Sequence, residues 1–113
     1  MLEDELLTMV LDVAALEGWT AFHVRNSKRA VIQGPGGVGF PDLVLVRGSA
    51  LLFRELKREG RKLDPDQVRW RDLLVAAGQD WGLWMPSSWP TIEKTLRHGP
   101  LRSPLTRISR PLG

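Results

Sequence analysis

GFPDLVLVRGSALLFRELK, residues 39–57, holds two short apolar runs, Leu43–Val46 and Leu51–Phe53, joined through Arg47-Gly48-Ser49. Runs of that length, rich in β-branched and aromatic residues and bounded by Gly and Pro, read as the two strands of a hairpin. Asp42 opens the first strand behind Pro41, and Glu55 closes the second, with Lys57 two residues on. Side chains two apart on a strand face the same way. Glu55 and Lys57 are therefore expected on one face and Leu56 on the other, pointing into a core. A hairpin returns the end of its second strand to the start of its first, so Asp42 is expected beside Glu55 and Lys57.

That constellation suits hydrolysis of a phosphodiester. Carboxylates from two strands can hold Mg2+, a hard ion that takes oxygen ligands and keeps several waters. Such an ion polarises phosphoryl oxygens and acidifies a bound water, while an ammonium can orient that water or offset charge on the phosphate. Each half has a plainer reading too. Asp after Pro often caps a turn, and Glu-x-Lys on a strand is often a solvated face; it is the pair, in this order behind Gly39-Phe40, that points to a site.

Pro41-Asp42 followed by Glu55-Leu56-Lys57 resembles the PD-(D/E)xK nuclease signature. The longer series resembles the VRR-Nuc family of that superfamily in its small, stand-alone, phage-type form. The matching pieces are Gly39 to Leu43, Glu55 to Lys57, Leu63 to Gln67 with Trp70, and Gly78, and the likeness spans Glu5 to Leu96. The resemblance implies an α/β fold with a restriction-endonuclease-like core, a mixed central sheet flanked by helices. It implies a DNA endonuclease dependent on Mg2+ or Mn2+, similar to Holliday-junction resolvases and acting as a homodimer. By the same resemblance the Leu56 carbonyl is a further metal ligand and Gln67 accompanies the catalytic residues. Glu5 matches an acidic position that completes the site, with Glu3 as the alternative; the sequence alone prefers neither, and Glu5 also reads as an ordinary first-turn acid.

The chain has 113 residues, enough for one domain with one modest core. Its 42% hydrophobic content fits a folded protein. The absence of cysteine excludes a disulfide scaffold and thiolate metal sites, and it suits a reducing compartment. No apolar run reaches the ~18 residues of a membrane span, and the acidic start is unlike a secretory signal. The expected location is the cytoplasm, the host's if the chain is phage-encoded. The formal charge is +3, but Arg97, Arg102, Arg107 and Arg110 supply it, and without those four the rest carries a net −1. Overall charge thus says little about nucleic acid, whereas its distribution says more: residues 1–17 hold five acids and no base, and residues 54–71 hold seven bases against four acids.

Elsewhere the pattern predicts a helix from Leu2 to Leu16, with Leu2, Leu6, Met9, Val10, Val13 and Leu16 at helical spacing and Gly18 as its stop. Trp19–Val24 is expected as a first strand, with His23 a surface or packing residue. Arg25–Gly39 reads as a loop, basic at Arg25, Lys28 and Arg29, then glycine-rich. It lacks the Lys-Ser/Thr pair and the strand-to-helix setting of a nucleotide loop. Two uses stay open for it, a flap bringing those three cations to a phosphate backbone or a plain connector. Arg58, Arg61 and Lys62 lie on a basic turn and are further candidates for phosphate contact. Asp64-Pro65-Asp66-Gln67 starts a helix running to Ala77, with Val68, Leu73, Leu74, Ala76 and Ala77 as its apolar side. Gln67 has two roles open that do not exclude each other, cap partner and site residue. Asp80–Met85 is a strand expected parallel to a neighbour, because a helix crossover precedes it. A turn over 86–90 leads to a last helix, Thr91–Arg97. Residues 1–98 read as the nuclease-like domain and 99–113 as a flexible basic tail rich in Pro and Arg.

The five tryptophans are expected in packing. One small domain without zinc-finger spacing or a helix-turn-helix has little surface for reading bases, so selectivity for branched DNA is expected over selectivity for sequence. A symmetric dimer would set two sites on one junction. A catalytically silent DNA-binding or assembly module and a structure-selective RNA nuclease remain as alternatives.

Overall fold

The computed structural model describes residues 3–24 and 35–100. The chain runs α1 (Glu3–Leu16), β1 (Thr20–His23), a 3-10 turn (Pro35–Gly37), β2 (Leu43–Arg47), β3 (Ala50–Leu56), α2 (Pro65–Ala76), β4 (Asp80–Trp84), a second 3-10 turn (Pro86–Ser88) and α3 (Trp89–His98). The strands form one 4-stranded sheet in the order β1-β2-β3-β4. β1, β2 and β3 pair antiparallel, while β4 lies parallel to β3, as a helical crossover requires. The fold is thus mixed α/β, a mixed sheet flanked by helices. Arg25, Lys28, Arg29 and residues 101–113 of the tail lie outside the described residues.

The β2–β3 hairpin forms where the two apolar runs predict it, turning on Gly48, whose φ of 60° is cheap only for glycine. Leu43, Leu45, Leu52 and Leu56 point to one face and bury completely or nearly so. Against them pack Leu6, Val10 and Ala14 of α1 and Ile92 and Leu96 of α3, with Trp19 and Trp84 closing the sides. Two arginines serve this core. Arg47 lies over the Trp19 ring and donates to the carbonyls of Glu17 and Leu96 at 3.0 and 2.9 Å, satisfying acceptors left open where α1 and α3 end. Arg54, only 6% exposed, pairs with Asp80 at 2.9 Å and lies over the Trp84 ring.

The opposite face carries Asp42, Val44, Val46, Leu51, Phe53 and Glu55 by strand alternation. The N-terminal half of α2 reaches this face through Gln67 on Glu55, and through the stack of Phe40 between Phe53 and Trp70. Towards β1 the face stays open: Phe22, Val46 and Leu51 are exposed, Phe22 at 64%.

Four sequence expectations change in detail. Leu16 is 84% exposed and Ala14 takes the buried place at the end of α1, because the stripe set by Leu6 and Val10 continues to Ala14. On α2 only Leu74 is buried; Leu73, Ala76 and Ala77 are exposed, since the helix touches the sheet along a narrow line. Of the five tryptophans, Trp19 and Trp84 are core residues, and Trp70, Trp81 and Trp89 are half-buried. The last helix is longer than expected at both ends. Among the described residues no helix is long and apolar enough to cross a membrane.

Candidate active site

The hairpin register pairs Leu43 with Arg54, which sets Asp42 opposite Glu55 just beyond the last pair of the ladder. The backbone around both is fixed. Val24 N–H donates to the Asp42 carbonyl at 2.7 Å, and Lys57 N–H donates to the Trp84 carbonyl at 3.1 Å, so the sheet continues past its formal ends. The Leu56 N–H then donates to Asp42 Oδ2 at 2.8 Å. One strand's backbone thereby holds the other strand's carboxylate.

Glu55 is 3% exposed and lies beside Asp42. Burial first, then the charge of Asp42 and a hydrogen bond with it, push the Glu55 carboxyl up to about 9; Lys57 pulls it back down, and the charge of Glu3 adds to the rise. At neutral pH, without a cation, Glu55 therefore holds its proton and shares it with Asp42. Lys57 is 7% exposed and stands on the Glu55 side of β3, opposite Leu56, which is in the core.

Gln67 fills both roles open to it. Its Oε1 accepts from the Asp64 N–H at 2.8 Å, capping α2, and its Nε2 donates to Glu55 Oε2 at 2.9 Å. One side chain therefore ties the helix start to the buried carboxyl. Asp42, Glu55, Leu56, Lys57 and Gln67 thus converge at one end of the sheet. Arg58, Arg61 and Lys62 follow on an exposed turn next to Lys57. That turn is anchored by Glu59, which accepts from both the N–H and the hydroxyl of Ser87 at 2.9 Å.

Of the two candidate acids on α1, Glu3 acts on Glu55 through its charge. It lies three residues before Leu6 and seven before Val10, at the head of the buried stripe. Glu5 is turned about 160° from Glu3 around the helix, and both are exposed. Gly39 and Phe40 were singled out as motif residues but not as supports of α2, and the parts of Arg69 and the Gly36 carbonyl were not foreseen. Trp70 Nε1 and Arg69 Nη2 both donate to that carbonyl at 2.8 Å.

The donor set fits a small hard divalent cation. Two carboxyls forced together at a buried position repel once ionised, and a cation between them relieves that repulsion. Among the described residues no group of three or more His, Cys, Asp or Glu could hold a metal ion. Asp42 and Glu55 are a pair and fall short of such a group; a cation held between them would take its other positions from backbone carbonyl and water, as Mg2+ prefers. No protein-family model matches the chain, and neither a curated protein nor a solved structure matches it.

Proposed function

We propose that the chain is a Mg2+-dependent DNA endonuclease with a PD-(D/E)xK core of the VRR-Nuc kind, selective for branched DNA. The observation that supports this reading most is the meeting of Asp42 and Glu55 across β2 and β3, with Lys57 on the same side and Gln67 bonded to Glu55. A structural acid pair would gain nothing from this burial: a carboxyl held above its ordinary range is a cost to the fold, and such costs concentrate at functional sites.

In this reading Asp42 and Glu55 hold the cation, Mg2+ or Mn2+, from their two strands. The Leu56 carbonyl is a third donor by family resemblance. When bound, the ion polarises a phosphoryl oxygen and acidifies a coordinated water. Glu55 surrenders its proton as the site loads, and Gln67 keeps its carboxyl in one orientation. Lys57 orients the attacking water and offsets charge on the phosphate. Glu3 at the head of α1 strengthens the negative field at Glu55, and Glu5 stands as the helix acid that the resemblance matches. Arg58, Arg61 and Lys62, with Arg25, Lys28 and Arg29, contact the phosphate backbone and set register without reading bases. A two-fold dimer places two such centres on one four-way junction.

The test is incubation with labelled four-way junction, flap, linear duplex and RNA, in Mg2+ or in EDTA. The expected result is metal-dependent cleavage of branched DNA, abolished by Asp42→Ala and lowered at least about a hundredfold by Lys57→Ala. Binding without cleavage would indicate a silent module, and preference for RNA would indicate an RNA nuclease. Full cleavage by Asp42→Ala would remove the site.

A further inference from the structure

Gly39 is buried, and its φ of 89° lies in the left-handed region that favours glycine. A Cβ there would stand 2.5 Å from both the carbonyl carbon and oxygen of Asp66, and 2.7 Å from the Asp66 Cβ. Asp66 lies in the first turn of α2, one residue before Gln67. The obstruction is backbone, so a side chain at 39 cannot be accommodated by a rotamer change; the helix start must move. On the other side of this contact, Trp70 and Arg69 both bond the Gly36 carbonyl. The Phe40 ring stands edge-on to Trp70 at 4.9 Å and to Phe53 of β3 at 6.1 Å. The lead into β2 and the first turns of α2 are thereby fastened together twice, by close backbone approach and by a polar and aromatic latch.

We propose that Gly39 and Trp70 are positioning residues that act through Gln67. By allowing the start of α2 to close on the lead into β2, and by latching it there, they keep the Gln67 amide on the Glu55 carboxyl. Neither residue reaches the carboxylate pair itself. Displacing α2 by an ångström would break a 2.9 Å hydrogen bond while leaving Asp42, Leu56 and Lys57 in place on the sheet. The catalytic part of this inference rests on the proposed nuclease function; the positional part does not.

The experiment follows the Gln67 side-chain amide by 15N-edited NMR alongside single-turnover cleavage of a four-way junction. The proteins are the parent chain, Gly39→Ala, Trp70→Phe, Gln67→Ala, the Gly39→Ala/Gln67→Ala double variant and Gly48→Ala. Gly48 also has positive φ, but nothing lies within 4 Å of an added Cβ, so it controls for the strain of a left-handed alanine. In the parent the Gln67 amide exchanges more slowly than that of exposed Gln79. In Gly39→Ala the two exchange alike, and the cleavage rate falls about a hundredfold with little change in DNA affinity. The double variant is no slower than Gln67→Ala. Trp70→Phe keeps the ring but loses the donor to Gly36, and it shows the same changes at about fivefold. Should Gly39→Ala fail to fold, Trp70→Phe carries the test. An unchanged Gln67 amide in the folded variants, or rate losses that multiply in the double variant, would overturn the inference. Loss of amide protection in a chain that cleaves nothing would uphold the latch and refute the nuclease.

Discussion

Glu55 carries the clearest physical signature of any single residue. Its carboxyl is raised from 4.5 to about 9 chiefly by burial. Between those values the unfolded chain has lost this proton and the folded chain still holds it. Stability of the metal-free protein should therefore fall as pH rises through that window, with a slope approaching 1.4 kcal/mol per pH unit from this group, about one proton's worth. Thermal melts in EDTA from pH 5 to 9 check this: Tm should drop with pH in the parent, and Glu55→Gln should flatten the slope. Added Mg2+ should raise Tm most at the alkaline end, because uptake of the cation requires the proton to leave. A second buried charge belongs to the fold alone. The Arg54 guanidinium is pulled below its ordinary range by burial and restored in part by Asp80. Asp80→Asn should cost about 2 kcal/mol in urea denaturation, less than for a fully enclosed pair because Asp80 is part-exposed. Gly82→Ala should destabilise too, since its Cβ would fall 2.9 Å from Arg54 Nε.

Among the elements, the hairpin was legible because its information is local: alternation, turn glycine and the two acids all lie within residues 39–57. Strand alternation alone fixes Leu56 inward and Glu55 outward, and a tight turn does the rest. The seat of α2 was not legible in that way. Its apolar residues suggested a broad buried side, whereas only Leu74 is buried, and what seats the helix is the missing side chain of Gly39 and a carbonyl at Gly36. Those contacts join segments about thirty residues apart, and no periodicity encodes them. Gln67 lay between these cases: the cap could be read from Asp64-Pro65-Asp66-Gln67, its place beside the site only from the resemblance, and its bond to Glu55 from neither. The choice between Glu3 and Glu5 was open in the sequence, and the charge of Glu3 on Glu55 is visible only in the fold. The loop between β3 and α2 makes its own prediction. Glu59 holds it to the turn after β4 through Ser87. Glu59→Ala should cost about 1 kcal/mol and weaken junction binding by loosening Arg58, Arg61 and Lys62, with the metal affinity of the site unchanged. Calorimetry with Mn2+ and filter binding with DNA separate the two effects.

At the scale of the molecule, one face of the sheet supplies the core and one end of the other face carries the candidate site. Core leucines and site residues alternate along the same strand, so the packing that buries Leu52 and Leu56 also aims Glu55. The site is therefore expected to survive as long as the fold does, and Asp42→Ala should remove activity while leaving the chain folded by circular dichroism. The proposed dimer is checked by sedimentation: a two-subunit mass at micromolar concentration is expected, and a monomer there would refute the two-site view of junction cleavage. The central claim, that Asp42 and Glu55 together hold a divalent cation, is tested most directly by soaking crystals in Mn2+ and recording its anomalous scattering. The account predicts a peak within coordination distance of both carboxyls and the Leu56 carbonyl; no peak there, or one bound only elsewhere, would contradict it.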